Sequence, residues 1–208
     1  MNFFGHAVVA AWKKQHSLGV LGSMLPDFEG MTHVRVREVR QEAVRVGVAL
    51  HHETDEAFHK SPIFVSLCRT GLDELTELGV RRGTSRAVAH VGVEMFLDGL
   101  LARDAEHGSA YEDALRQETH DAILWEDRGV AFQKLQRRLR TWGTPHEYRD
   151  PSFVLDRLSD SLRTRPRLAI LAEQRLAVAD FLPRLQQSVE DRAPELLNEL
   201  RDALGLAR

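Results

Sequence analysis

Residues Ala87–Ala102 read AVAHVGVEMFLDGLLA, sixteen residues in which only His90, Glu94 and Asp98 are strongly polar. These three stand at i, i+4 and i+8, the spacing that stacks side chains on one face of an α-helix. The remainder (Val88, Val91, Val93, Met95, Phe96, Leu97, Leu100 and Leu101 within it) is apolar, so the helix is expected to be covered on most sides. A carboxylate in such a place is strongly destabilising unless it is paired or metal-bound. No basic residue lies within 87–102, so the compensating groups must come from elsewhere in the chain.

Working outward, the next apolar stripe is formed by Val36, Val39, Ala43, Val46, Gly47, Leu50, Thr54 and Ala57, which predicts an amphipathic helix over 36–58. It carries a second polar row, His51, Asp55 and His59, again at i, i+4 and i+8. Ser61-Pro62 predicts an N-cap and first position for a helix running to Leu78 beside Gly79. Thr84 or Ser85 then caps a helix to Asp104, and Gly108-Ser109 breaks the chain. Further helices are expected over 109–118 and 120–140, with a loop at Thr141–Pro145. Asp150-Pro151 opens another helix, Pro166 starts or kinks the next, and Pro194 begins the last. Asn-Gly and Asp-Gly hairpin signals are absent, as is clean two-residue alternation. The expected fold is all-α: one compact helical domain over 1–208, its metal-site core in 1–108 and its C-terminal helices in 109–208.

Two facing helices that each offer a His/carboxylate row can build a metal site in a helical core. Imidazole with carboxylate suits manganese, iron or zinc, and carboxylate-rich positions also admit magnesium. One or two ions would serve hydrolysis, with Asp55 or Glu94 as the carboxylate active in catalysis. The competing reading is a buried polar network in which arginines pair with the same rows. His52 and Glu53 point away from their row, and His120-Asp121 reads as an exposed pair. His16, His33, His107 and His146 are expected at the surface.

Bulk composition narrows the classes. At 208 residues, with 43% hydrophobic and 28% charged residues, the chain can bury a substantial core. A net charge of −3 gives no global pull toward nucleic acid. The single cysteine, Cys68, allows no intramolecular disulfide and no cysteine-based zinc site. The first fifteen residues lack the pattern of a signal peptide and no run has the length of a membrane helix, so a cytoplasmic location is expected. Nine of the ten histidines precede residue 121, which directs the search for chemistry to that part of the chain.

Several segments, in order, resemble the acyl carrier protein phosphodiesterases. Met1-Asn2-Phe3-Phe4-Gly5-His6 is similar to their opening Met-Asn-Phe-Leu-Ala-His. Leu21-Gly22-Ser23-Met24-Leu25-Pro26-Asp27-Phe28 resembles a Gly-Asn-(two apolar)-Ala-Asp-Phe element, with Ser23 and Pro26 replacing Asn and Ala. Gly47, His51 and Asp55 match a Gly-Ile-x-(Leu/Met)-His-Arg-x-Ile-Asp segment. The apolar helix resembles an Asp-x-x-x-Asp-His-Phe-Leu-(Ala/Ser)-Arg element ending in Leu101-Ala102-Arg103, and Arg165-Pro166-Arg167-Leu168 resembles a later Arg-Pro-Arg-Leu.

That resemblance implies an HD-type, all-α phosphohydrolase that uses divalent metal, often manganese. Its reaction would hydrolyse the phosphodiester joining phosphopantetheine to a serine of acyl carrier protein. It implies functional roles for His6, Asp27, His51, Asp55 and Asp98. The pattern departs at Gly99, where the family has His, at Glu94, where it has Asp, and at His59, which replaces a second Asp. His90 is an added histidine. The expected metal set is therefore His6, Asp27, His51, Asp55, His59, His90, Glu94 and Asp98. Arg81, Arg82 and Arg86, or Arg137, Arg138 and Arg140, would receive an acidic carrier protein. The alternatives are a small-molecule hydrolase or oxygenase on the same scaffold, and a non-catalytic helical binding protein.

Overall fold

A computed structural model describes residues 1–206. The fold is all-α, with one small sheet. In chain order the helices are α1 (Phe3–Trp12), α2 (Ser17–Thr32), α3 (Glu42–Lys60), α4 (Pro62–Glu77) and α5 (Arg82–Leu101). They continue with α6 (Ala105–Leu115), α7 (Val130–Trp142), α8 (Pro151–Leu162) and α9 (Arg175–Ala203). The strands are β1 (Val36–Val39) and β2 (Ile123–Trp125), paired antiparallel. Short 3-10 turns occupy His146–Arg149 and Ala172–Gln174. Among the described residues no helix is long and apolar enough to cross a membrane.

Contacts divide the chain into two compact units, Met1–Ala57 with Leu101–Pro145, and Phe58–Leu100 with His146–Arg208. In the first, α1, α2, α6 and α7 pack around Phe3, Phe4, Phe28, Tyr111 and Phe132. Phe4 meets Tyr111 edge-on with ring centres 5.2 Å apart, and Trp125 stacks on Phe132 at 5.0 Å. These aromatic contacts bury large areas in favoured geometries. In the second unit α4 and α8 pack on α9, whose buried stripe is Val178, Phe181, Leu182, Leu185, Val189, Ala193, Leu196 and Leu200.

The helix expected over 36–58 divides at its start. Val36–Val39 is a strand, and α3 begins at Glu42. An irregularity in register between Val36 and Glu38 lets both valines, three residues apart, turn inward while Arg37 and Glu38 face solvent. That spacing imitates a helical stripe. The helix expected over 120–140 is likewise β2 followed by α7. Ser61 caps α4 as predicted, its hydroxyl accepting from the backbone N–H groups of Ile63 and Phe64. Asp150 caps α8 by accepting from Ser152 N–H.

Other boundaries move for local reasons. Helix α5 stops at Leu101 because Asp104 serves α6 as its N-cap, accepting from Glu106 N–H. Gly108 lies inside α6 rather than at a break. A Cβ there would stand 2.8 Å from the Thr144 hydroxyl, so this glycine admits close packing. Pro166 neither starts nor kinks a helix; its carbonyl and that of Ala169 accept from Arg81. Pro194 does not begin the last helix, and α9 runs through both Pro183 and Pro194. Burial of its apolar stripe outweighs the roughly 3 kcal/mol that an interior proline removes from a helix.

Candidate metal centre

Helices α2 and α3 cross at glycines, and this crossing sets the first site. A Cβ on Gly47 would overlap the Gly19 carbonyl oxygen and come within 2.8 Å of the Ser23 nitrogen. The close approach brings the next turn of α3 against α2, where His51 Nδ1 lies 2.8 Å from the Ser23 carbonyl oxygen. A carbonyl only accepts, so Nδ1 carries the proton and Nε2 keeps its lone pair in the neutral ring. Such a bond fixes both tautomer and ring orientation in metal-binding histidines. The Ser23 hydroxyl lies 2.7 Å from the Val20 carbonyl and 3.1 Å from that of His6, donating between them and tying α2 to α1.

His6, Asp27 and His51 come from three helices and converge. One ligand atom from each lies within 4.8 Å of the others. The His6 and His51 rings stack with centroids 3.8 Å apart. Asp55 adjoins them, its Oδ1 3.4 Å from His6 Nε2 and 2.7 Å from the Met1 α-amino group. His6 Nε2 also stands 3.1 Å from the Met1 carbonyl and 4.0 Å from Asp27 Oδ2. Facing a carbonyl and two carboxylates, Nε2 carries a proton here, and a cation binding at that nitrogen would displace it.

The electrostatics suit ligation. Burial lowers the His51 pKa to about 4, reinforced by the neighbouring His6, against the opposing pull of the Ser23 carbonyl and Asp55. His51 is therefore neutral at pH 7, as a metal ligand must be. Burial raises the proton affinity of Asp55, but hydrogen bonding from His6 and the Met1 ammonium charge outweigh it and hold the carboxyl well below its usual range.

The expected residues form two groups rather than one. His51 and Asp55 join His6 and Asp27, whereas His59 joins His90 and Glu94. The second group also has its ligand atoms within 4.8 Å. Asp98, one turn beyond Glu94, is buried and belongs to neither group. His52 and Glu53 are exposed, as are His16, His33, His120, Asp121 and His146. His107 differs from its expected surface position: it is half-buried, with Nδ1 2.9 Å from the Leu101 carbonyl and Nε2 accepting from the Trp12 indole N–H.

Gly99, where the resembled family has His, is fixed by packing. A Cβ there would lie 2.8–3.0 Å from the backbone of Tyr148 and Arg149. No side chain fits without moving that backbone, so the departure is built into the fold around α5.

Ser23 is the functional neighbour that residue spacing missed, because it acts through its backbone carbonyl. Phe64 is another; its ring stands edge-on to both His59 and His90 at 5.1 Å. Comparison with family models, curated proteins and solved structures returns no match.

Proposed function

We propose that this protein is a metal-dependent phosphodiester hydrolase whose ion is held by His6, Asp27 and His51, with Asp55 beside them. The convergence of two imidazoles and a carboxylate from three helices carries this reading. His6, Asp27, His51 and Asp55 are four of the five residues that the ordered sequence marks of the acyl carrier protein phosphodiesterases imply; Asp98, the fifth, is outside the group. The HD-type relationship is part of the same proposal.

The donor set fits manganese, iron or zinc, and its carboxylates also admit magnesium. When bound, such an ion supplies Lewis acidity at a phosphoryl oxygen and lowers the pKa of water. The chain's own residues do the remainder. His51 presents Nε2 because Ser23 holds its other nitrogen. Asp27 and Asp55 are each partly open to solvent, and Asp55, ionised at neutral pH, is placed to accept a hydrogen bond from an attacking water. Glu94, the other carboxylate expected to act in catalysis, stands in the second group and takes no part in this step.

The proposed substrate is the phosphopantetheine–serine diester of an acyl carrier protein. Arg137, Arg138 and Arg140 are exposed on α7, in the same unit as the site, and supply the positive surface an acidic carrier would meet. The test is to incubate manganese-loaded protein with holo-acyl carrier protein, and separately with bis(4-nitrophenyl) phosphate. Loss of the prosthetic group, read by mass, supports the carrier substrate. Cleavage of the small diester alone keeps the hydrolase and removes the carrier; an intact pair of substrates overturns the reading.

A further inference from the structure

The second group has a geometry of its own. His90 and Glu94 occupy successive turns of α5, and His59 stands near the C-terminal end of α3. Both imidazoles address one carboxylate oxygen: His59 Nε2 is 3.2 Å and His90 Nε2 3.3 Å from Glu94 Oε1. The two rings lie nearly parallel, 14° apart, with centroids separated by 5.1 Å. Phe64, buried at the start of α4, abuts both rings edge-on and keeps them aligned.

Exposure is graded in the way an open ion site requires. The Glu94 side chain is 12% exposed, that of His59 31% and that of His90 42%. The carboxylate forms the floor and the imidazoles form the rim.

The spacings match ligands on one ion. Metal–nitrogen and metal–oxygen bonds of roughly 2.1 Å, meeting at angles between 90° and tetrahedral, put the two ligand atoms about 2.9–3.4 Å apart. Both His–Glu distances fall inside that interval. Two imidazoles and one carboxylate, with the remaining positions open to water, favour zinc, iron or another first-row divalent ion over magnesium.

We propose that His59, His90 and Glu94 form a second metal site, selective for a borderline transition ion and independent of the His6/Asp27/His51 group. His59 and His90 are additions to the resembled pattern, so this site is a feature of this chain. It does not depend on the hydrolase reading.

The test uses cobalt(II) as the probe ion. Metal-stripped full-length protein is titrated with cobalt, desalted and analysed for bound metal, with visible and paramagnetically shifted proton spectra recorded. His90→Asn is the principal variant because its half-exposed side chain leaves the fold intact, which circular dichroism checks. Glu94→Gln and His51→Asn complete the set. The expected result is that His90→Asn and Glu94→Gln each remove one equivalent of cobalt and two shifted imidazole signals, which His51→Asn retains. Unchanged cobalt content and spectrum in folded His90→Asn protein would overturn the proposal. So would a wild-type protein that binds no cobalt, or one whose only bound ion is lost in His51→Asn.

Discussion

His51 donates through Nδ1 to the Ser23 carbonyl across 2.8 Å, and this bond connects a backbone crossing to a candidate ligand. It forms because Gly47 lets α3 approach α2 more closely than any side chain would allow. Gly47→Ala should therefore weaken both fold and site. Overpacking of this kind typically costs about 1–3 kcal/mol. Urea denaturation should show that loss, and manganese titration should show weaker binding in the protein that remains folded. Wild-type stability and affinity would remove the link between the crossing and the ligand.

Acid should destabilise the metal-free protein in a defined window. The His51 pKa is lowered from 6.5 to about 4 in the folded state, mainly by burial. Above pH 6.5 the ring is neutral in both states and imposes no penalty. As pH falls toward 4 the unfolded chain takes up a proton that the folded chain does not, so stability drops by about 3 kcal/mol, to order of magnitude. His51→Asn should flatten this part of the stability profile, measured by denaturant melts from pH 7.5 to 4. An equally steep loss in the variant would place the titrating group elsewhere. Asp55, whose carboxyl pKa is depressed, adds a further loss only at lower pH, below the ordinary carboxylate value.

Introducing at residue 99 the histidine of the resembled pattern should fail. At Gly99 even a Cβ meets the Tyr148 and Arg149 backbone, so Gly99→His has no space within the present packing. Thermal melting should fall by several degrees for the roughly 1–3 kcal/mol expected of overpacking, with no gain in phosphodiester hydrolysis. A stable Gly99→His protein with raised activity would show that the packing around α5 tolerates a side chain at residue 99.

The all-α class was readable because α3, α5 and α9 bury long stripes with helical spacing. Position along the chain was less legible where packing overrides local signals. Val36 and Val39 share a face through a strand irregularity, and Gly108 marks a close contact with Thr144 instead of a helix end. The polar rows were visible as spacing on single helices. Their partition was not, because His6, Asp27 and the ring-aligning Phe64 reach these rows only through tertiary packing. The Ser23 contribution was invisible in principle, since any residue carries the carbonyl that His51 uses.

His6, Asp27 and His51 are expected to hold an ion that phosphodiester cleavage requires. The decisive measurement is cleavage of bis(4-nitrophenyl) phosphate by metal-stripped protein as manganese is added, compared between wild type and Asp27→Asn. Asp27 is half-buried and open on one side, so its amide replacement preserves shape while removing a charged ligand. Expected are no cleavage without metal, saturable activation in the wild type, and at least a tenfold loss in Asp27→Asn, about 1.4 kcal/mol in transition-state stabilisation. Metal-independent cleavage, or full activity in Asp27→Asn, would contradict it.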